Sequence, residues 1–554
     1  MLRKINSFGG IAPKHHASRL PDGFAQEAVN TRFERGVLES HRGLEDSGHT
    51  LNAATRVIHK YQNLHWMGFS NPVITVADAH QVSDPWDYLL IADVEYPKVT
   101  RNDIATSSKP YPSATFRLGV PQPPVADGAP YNQFRQELDT TPEEGVDLPT
   151  TTVYRFSFVD GFGREGALSS PSPMVRFYEG FDDIVVPLPT DFVGTGHFLT
   201  DAKIRIYRAN YGDGGVYQFV DEVDYGLDVY IDSIPSDELG FPPETDDWYP
   251  PPDDDTTINP SGPLRNLTAM PGGFFVGSTG DELCASVPDA PHAWPYAYRI
   301  PLGYKIVGIQ TTGNAAVVAT TGPVYVVQGV DPSALQPTRI NSNQSCVSAR
   351  SMVNVGGAVI YASPDGLVGV AGYDAQLLTQ ELVTKEEWQE IFKPEEIHGY
   401  YYEGKYIFFN NTRGWVFRPN AGAYSLSELS FVATAGYSDL ETDSLYLLIG
   451  NKLQRFDEAA ERLTYSWKSS EIRTATPTNF SYMRVVAEDY PVTATLTAKK
   501  ANGTLSEQTI TFENYEPRVL RSGHSAKEFY IHIQGNKAVK SVDLAHNRAE
   551  FDDA

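Results

Sequence analysis

The sequence contains very little cysteine, with only Cys284 and Cys346 among 554 residues. The two residues stand far apart and outside any Cys-x-x-Cys or Cys/His spacing, which excludes a disulfide framework or a zinc site built on cysteine. Free cysteine behaves as a small apolar residue, so we expect both side chains to be buried. No metal and no cofactor is predicted.

Long apolar runs are also missing. The basic residues Arg3 and Lys4 are not followed by an apolar stretch, and no run approaches the ~18 apolar residues that a membrane-spanning helix needs. The sequence therefore predicts neither a secretion signal nor a membrane span.

Positive charge is scarce, since 44 Lys and Arg stand against 70 Asp and Glu and give a formal net charge of −26. Proteins that grip nucleic acid through its phosphates need clustered Lys and Arg, so tight DNA binding is not expected. The charge is uneven, however, because residues 1–42 hold seven bases and only four acids. We interpret this segment as a docking arm on an acidic body, and a solvated segment without a partner is the alternative. The predicted partner-docking residues are Lys14, Arg19, Arg32, Arg35 and Arg42.

A second segment lacks basic residues altogether. Residues 226–255 carry ten acids and no Lys or Arg. A calcium site is one interpretation, but no Asp-x-Asp-x-Asp-Gly loop with a Glu at its twelfth position occurs. We favour a solvated Pro/Asp linker over residues 236–263. Its predicted acidic surface residues are Asp246, Asp247, Asp253, Asp254 and Asp255.

Catalytic motifs are not found either. No glycine-rich loop precedes Lys and Ser or Thr, no His-Glu-x-x-His occurs, and Gly277–Gly280 has the wrong spacing for a nucleophile elbow. A carboxylate pair for glycoside cleavage stays open, because two such acids can be distant in sequence. With 70 Asp and Glu residues, some pair always looks suitable for glycoside cleavage, so this possibility has little weight. The chain is not expected to be an enzyme.

What the sequence has in abundance is aromatic residues, at 12%, together with 45 Gly and 39 Pro. Aromatic side chains fit the pleated surface of a β-sheet, while Gly and Pro favour the turns between strands. This composition therefore predicts a mainly β protein with many short strands. About seven short strands within 150–235 indicate an immunoglobulin- or fibronectin-like sandwich. Segments 51–125 and 264–470 hold enough chain for about six propeller blades at ~40–45 residues each. The clearest helix candidate is Thr384–Phe392.

We therefore expect a β-propeller-like body with an inserted sandwich and a small C-terminal β domain. An irregular break at Val120–Gly128 is the expected boundary before the sandwich, and Gln26–Phe33 is a candidate helical turn within the arm. The predicted domains are an extended docking arm (1–50), the first propeller blades (51–125), the sandwich (150–235), the acidic linker (236–263), the remaining blades (264–470) and the C-terminal β domain (471–554).

Both ends and the middle of the sequence carry loose motifs of one kind of virion protein. The N-terminal motifs are Phe8–Pro13, Leu20–Gly23, Ala25–Asn30 and Gly36–Gly43. The others are Arg205–Arg208, Tyr217–Gln218, Ile533–Gly535 and Val542–Ala545. In these motifs the chain resembles the tail nozzle and tail-tube proteins of short-tailed bacteriophages.

The resemblance implies a structural role in the virion tail. It implies a hexamer below the portal and adaptor rings, with propellers around a central channel that double-stranded DNA traverses and with tail fibres bound outside. An acidic wall suits such a channel, because it does not hold the phosphates of the genome. The alternatives are a receptor-binding adhesin and a propeller-type polysaccharide depolymerase of the tail.

Overall fold

The computed structural model describes residues 2–21, 23–79, 86–124, 126, 128–135, 141–144, 147–210, 215–419, 421–422 and 425–551. The predicted boundary at 120–128 therefore lies partly outside the described residues, since 125 and 127 are not among them. The chain divides into two compact units. The first unit comprises Met1–Pro72, Val307–Val326 and Thr338–Ala554, and the second comprises Val73–Ile306 and Val327–Pro337.

The strands account for most of the regular structure. Those of the N-terminal 72 residues are β1 (Arg3–Ile5), β2 (Ala25–Val29), β3 (Thr31–Arg32), β4 (Glu39–Ser40), β5 (Glu45–Thr50), β6 (Val57–Tyr61) and β7 (His65–Phe69). Those of residues 73–305 are β8 (Thr75–Ala79), β9 (Tyr88–Ala92), β10 (Lys98–Thr100), β11 (Phe116–Arg117), β12 (Tyr131–Phe134), β13 (Thr150–Val159), β14 (Val175–Phe177), β15 (Asp182–Pro187), β16 (Lys203–Asn210), β17 (Gln218–Asp224), β18 (Val229–Asp232), β19 (Arg265–Met270), β20 (Phe274–Thr279), β21 (Glu282–Ala285) and β22 (Ile300–Pro301).

The remaining strands follow from residue 306 onward. They are β23 (Ile306–Thr312), β24 (Ala315–Thr320), β25 (Tyr325–Gln328), β26 (Gln336–Arg339), β27 (Val353–Val355), β28 (Ala358–Ala362), β29 (Leu367–Ala371), β30 (Asp374–Leu377), β31 (His398–Tyr402), β32 (Lys405–Phe409), β33 (Gly414–Phe417), β34 (Leu426–Leu429), β35 (Ala435–Asp439), β36 (Ser444–Ile449), β37 (Lys452–Arg455), β38 (Tyr465–Ser469), β39 (Ile472–Thr478), β40 (Tyr482–Ala487), β41 (Val492–Lys499), β42 (Leu505–Phe512), β43 (Arg518–Val519), β44 (Ala526–Gly535) and β45 (Val539–Ala545).

Helices are short throughout the described residues. The α-helices are α1 (Asn102–Ala105) and α2 (Lys385–Glu387), and a π-helix spans Trp388–Phe392. The 3-10 turns are Ala17–Arg19, Ser236–Glu238, Tyr296–Tyr298, Pro332–Ala334, Ala349–Ser351, Pro394–Glu396 and Arg548–Phe551. None of these described helices has the length and apolar character that crossing a membrane requires.

The fold is mainly β with a propeller-like body, as the composition predicts. Five four-stranded sheets in the described part of the chain have the sequential order of propeller blades: β8–β11, β19–β22, β23–β26, β27–β30, and β35–β37 completed by β5. Strands β31–β34 follow the same order at one end of a ten-stranded sheet. Each blade's second strand is almost wholly buried, as in β9, β20, β24 and β32. Burial on both faces explains why these strands appear in the sequence as continuous apolar runs rather than as alternating patterns.

The sandwich lies in the second unit. The four-stranded sheet β14–β13–β16–β17 and the three-stranded sheet β12–β15–β18 enclose one core, which includes Tyr154, Phe156, Phe158 and Ile206. The seven strands agree with the number that the sequence predicts for 150–235, although β12 begins earlier, at Tyr131.

The C-terminal β domain is completed by the N-terminal segment. Strand β1 pairs with β45, and β2 pairs with β38 and, through Val29, with β34. Phe8 and Leu38 lie in the same core as Trp467 and Ile531. The segment predicted as an extended arm thus lies along strands of its own chain.

The helical turn predicted at Gln26–Phe33 is wrong. These residues form β2 and β3, which are separated by Asn30 with a positive φ of 55°. Backbone hydrogen bonds to strands more than 390 residues away outweigh the weak local preference of this segment.

Two other local predictions agree with the structure. Both cysteines are buried and free. The helix predicted at Thr384–Phe392 begins with a capping box between Thr384 and Glu387 and continues through the π-helix to Phe392, before Pro394.

Candidate functional site

A cluster of ionisable side chains joins the N-terminal segment to the rest of the first unit. Its members, called the charge cluster below, are Arg32, Glu34, His41, Glu403, Lys405, Arg418 and Asp457. Arg32 lies 2.8 Å from the Asp457 carboxylate, and Glu34 accepts a hydrogen bond from Arg418 at 3.1 Å. The Arg42 backbone amide also donates to Asp457. The cluster therefore binds the segment to its own chain.

Burial and charge act against each other within the cluster. Burial opposes ionisation of Glu34, but Arg418 and Lys405 hold the pKa of its carboxyl far below the ordinary value. Burial lowers the pKa of His41, even though Asp457 contacts its ring, and it also lowers the pKa of Arg418. A buried cation is tolerated here because a carboxylate accompanies it.

The other predicted docking residues have fewer contacts. Arg35 pairs with Glu39 at 2.6 Å and with Glu488 at 2.9 Å. Lys14 donates to the carbonyl of Gln380 at 2.8 Å. Arg19 and Arg42 are exposed. The sequence grouped all five residues as one docking set, whereas the structure gives three of them, Lys14, Arg32 and Arg35, carboxylate partners within the chain.

The predicted acidic residues lie in the second unit, and three of the five contact arginines. Asp246 pairs with Arg155 at 2.6 Å. Asp253 and Asp254 both pair with Arg117, at 3.2 and 2.8 Å.

The two remaining predicted acids differ from each other. Asp255 accepts a hydrogen bond from the Thr257 amide at 2.9 Å, and Asp247 is exposed. Among the residues that the structure describes, no group of three or more His, Cys, Asp or Glu is arranged to hold a metal ion.

Part of the acidic segment is packed against other residues of the second unit. The Tyr249 carbonyl accepts a hydrogen bond from the Trp294 amide at 2.7 Å, and Pro251 is buried against Gly119. A cavity of about 530 Å³ lies beside it, lined in part by Asp253, Asp254, Asp255, Tyr96 and Tyr296. The structure thus brings three of the five predicted acidic residues to one cavity.

A larger cavity of about 670 Å³ lies elsewhere in the second unit and is called the aromatic cavity below. Its walls come from four stretches of the chain that are distant in sequence: the blade β8–β11, the sandwich, the segment 242–248 and the loop 289–292. The lining residues that matter here are Trp86, Tyr88, Phe162, Arg164, Glu165, Arg205, Tyr207, Thr245, Trp248 and His292. No motif in the sequence predicts this cavity, because its residues meet only after folding.

Two polar networks fix the sandwich side of the aromatic cavity. Glu165 accepts hydrogen bonds from the Ser157 and Tyr207 hydroxyls at 2.5 and 2.7 Å and from Arg205 at 2.6 Å. Arg164 donates twice to the Asp160 carboxylate, at 3.0 and 2.6 Å. These bonds hold this wall of the cavity in one geometry.

Comparison with known proteins shows only distant structural likeness. No family model matches the chain, and no curated protein does. Among solved structures, PorZ, a surface component of the type IX secretion system of Porphyromonas gingivalis, is 13% identical with a TM-score of 0.27. The aligned part covers 53% of this chain and 40% of PorZ, so this chain matches less than half of that protein.

Two further structures resemble the chain at a similar level. The WD40 domain of Neurospora crassa Pan2 is 8% identical over 52% of this chain and 86% of that domain, with a TM-score of 0.25. YCF48 from Cyanidioschyzon merolae is 10% identical over 51% and 95%, with a TM-score of 0.24. Similarity this distant assigns no function.

Proposed function

We propose that this protein is a structural subunit of a bacteriophage tail, of the nozzle or tail-tube kind. In this role several copies, six by resemblance, enclose a passage through which double-stranded DNA leaves the capsid. The proposal starts from sequence motifs that resemble those of nozzle proteins, and a propeller-like body with an inserted sandwich agrees with it.

The observation that carries the proposal is the formal net charge of −26. Duplex DNA has one negative charge per ~1.7 Å, and a wall rich in Lys and Arg would retain it by releasing counterions. An acidic wall repels the phosphates, so the genome slides without adhering. Screening at ~8 Å limits this effect to a narrow passage.

The contacts of the N-terminal segment refine the docking part of the proposal. Arg32 and Arg35 form short ion pairs with carboxylates of the same chain, whereas Lys14 lies 3.4 Å from Glu381, and Arg19 and Arg42 are exposed. We assign the docking role to Lys14, Arg19 and Arg42. These three cations suit an acidic surface on a portal or adaptor protein. Tail fibres would bind elsewhere on the subunit.

An assembly assay tests the proposal. Capsids with portal and adaptor rings, assembled without this protein, should bind the purified protein as a ring and become tailed. The purified protein should also fail to retard duplex DNA at low salt. Capsids that stay bare, or strong retardation of DNA, would count against the tail role.

A further inference from the structure

The cavity of about 530 Å³ beside the acidic segment is called the acidic cavity below, and its lining residues all belong to the second unit. Val193, Ile258 and Tyr296 line it and are 49%, 59% and 47% exposed. The Asp254 side chain, which also lines it, is 48% exposed. The lining therefore includes apolar and negatively charged side chains that are open to solvent.

The apolar walls of the acidic cavity are built from tyrosines and prolines. The Tyr249 and Tyr296 rings have centroids 4.7 Å apart. The prolines of the lining are Pro97, Pro121, Pro250 and Pro251. Proline has a fixed backbone φ and tyrosine has few rotatable bonds, so little conformational entropy is lost when a ligand packs against such walls.

Hydrogen bonds set the backbone of the loop that carries the carboxylates. The Leu264 amide donates to the Pro252 carbonyl at 2.8 Å, and the Asn259 amide donates to the Asp255 carbonyl at 2.7 Å. The Asn259 side-chain amide donates to the Asp253 carboxylate at 3.0 Å. The acidic wall is therefore an ordered part of the second unit.

The lining carries more negative than positive charge. Asp253, Asp254 and Asp255 line the cavity, and among the described residues that line it Arg117 is the one Lys or Arg. Arg117 pairs with Asp253 at 3.2 Å and with Asp254 at 2.8 Å, and Asp255 has no cationic partner in the described part of the chain. Burial lowers the pKa of His197, which also lines the cavity, to about 4, so its ring is neutral at pH 7. The cavity thus repels anions and attracts cations.

Cations already lie over two of the lining tyrosines. The guanidinium carbon of Arg117 is 3.9 Å from the ring centroid of Tyr96, and that of Arg299 is 4.3 Å from the ring centroid of Tyr296. Aromatic faces attract cations, and the attraction is stronger where water is partly excluded. The tyrosine walls are therefore compatible with positive charge as well as with apolar groups.

These properties select the chemistry of the ligand. A hydrated metal ion would gain nothing from the apolar walls, and no metal-binding group of three or more side chains occurs among the described residues. A neutral apolar molecule would leave the carboxylates unused. An ammonium or guanidinium group on a hydrocarbon body uses both features, because its N–H groups donate to carboxylates and its body packs against apolar walls. The volume lies within the usual range for small-ligand pockets.

We propose that the acidic cavity binds a small organic cation, an amine or guanidine with an apolar body. The charged head lies at Asp254 and Asp255, and the body packs against Tyr249, Tyr296 and Ile258. This binding function goes beyond the tail role and does not rest on it, so either proposal can fail while the other stands.

Ligand-observed NMR titrations of the full-length protein at pH 7 test the proposal. The probes are 2-phenylethylamine and cyclohexylmethylamine, each compared with the alcohol and the carboxylate that have the same body. We expect at least one amine to bind, about tenfold or more tightly than its alcohol and its carboxylate, because only the amine forms charge-assisted hydrogen bonds with the aspartates. Failure of both amines to bind at millimolar concentration, or equally tight binding of a matching alcohol or carboxylate, would overturn the proposal.

A matched pair of variants locates the charged head. Asp255→Asn removes the carboxylate without a cationic partner, and the amide oxygen can still accept the hydrogen bond from the Thr257 amide. The variant should weaken amine binding about tenfold, as expected for one lost charge-assisted hydrogen bond. Asp247→Asn is the control, because Asp247 is an exposed acid of the same segment and does not line the cavity. Equal affinities of the two variants would place the amine elsewhere and refute the assignment.

A second pair of variants locates the apolar body. Ile258→Ala shortens an exposed side chain of the cavity and should weaken amine binding about fivefold, since it removes apolar contact with the ligand. Val216→Ala is the control, because Val216 is also exposed in the second unit and does not line the cavity. Thermal melts show that each variant is folded. The same affinity in both variants would contradict the placement of the body.

Discussion

Arg208 and Asp232 form an ion pair inside the sandwich, with Arg208 Nη1 2.6 Å from Asp232 Oδ2 and side chains that are 1% and 0% exposed. The Tyr154 hydroxyl donates to the same carboxylate oxygen at 2.6 Å. Strand β18 therefore directs a charged residue inward, while its neighbours Val229 and Ile231 are exposed. This polar contact links β13, β16 and β18, and so joins the two sheets of the sandwich.

Replacement of Asp232 by Asn should strongly destabilise the protein. The variant leaves Arg208 buried without a counter-charge, and breaking such a pair costs about 3–5 kcal/mol of unfolding free energy. Glu222→Gln is the control, since it breaks a half-exposed pair with Arg205 and should cost no more than about 1 kcal/mol. Urea denaturation measures both. Similar losses in the two variants would contradict a structural role for the buried pair.

Acid should destabilise the protein between pH 6.5 and pH 5. Burial lowers the pKa of His292 to about 4, whereas the unfolded chain takes up this proton near 6.5. The unfolded state therefore binds more protons in this window, and the free energy of unfolding falls as the pH is lowered. His292 alone contributes up to about 2 kcal/mol over that range.

Replacement of His292 by Gln should reduce the slope of melting temperature against pH in this window. His49→Gln is the control because His49 is exposed. Carboxylates complicate the comparison only at lower pH, where they begin to take up protons. If the two variants have the same slope, the buried His292 is not a source of acid sensitivity.

Gly10 lies where the backbone of the N-terminal segment closely approaches that of β34. A Cβ at this position would lie 1.9 Å from the Leu426 carbonyl oxygen, which itself accepts a hydrogen bond from the Ile11 amide. Gly10→Ala should therefore push the segment away and cost about 1–3 kcal/mol. Hydrogen exchange of residues 8–40 should accelerate.

Gly535→Ala is the matched control for this change. A Cβ at Gly535 would meet its nearest atom at 3.4 Å, an ordinary contact, so exchange of residues 8–40 should stay slow. Unaltered exchange in Gly10→Ala would mean that the segment is not held by the contacts described above.

The sequence predicted what depends on local pattern. The continuous apolar runs of β9, β20 and β24 identify blade strands, and the alternation in β13 identifies a strand of the sandwich. Thr384, Glu387 and Pro394 mark the ends of the helix, because caps and proline act within a few residues.

What the sequence did not predict depends on contacts between distant residues. The pairing of β2 with β38 joins residues more than 430 positions apart, and no local pattern identifies the partner. The aromatic cavity combines side chains from four distant stretches. The prediction for Arg32 did not anticipate its pairing with Asp457, because an arginine near a chain end has the same sequence pattern whether it binds another protein or its own fold.

Charge reversal at Arg19 and Arg42 tests the docking surface better than deletion does. Deletion of residues 1–45 would remove Phe8 and Leu38 from a core and would unfold the C-terminal β domain. The double variant Arg19→Glu/Arg42→Glu keeps that core and should reduce attachment to capsids at least tenfold, since like charges across an interface repel. Arg265→Glu, at another exposed arginine, should attach normally. Normal attachment of the double variant would show that Arg19 and Arg42 are not part of the interface.

Electron microscopy of virions that carry a gold-binding tag at the C-terminus of this protein tests whether the protein is a tail subunit. We expect gold at the tail of each particle, in several copies around the tail axis. Particles without gold, together with a purified protein that stays a single copy and turns over a substrate, would contradict it.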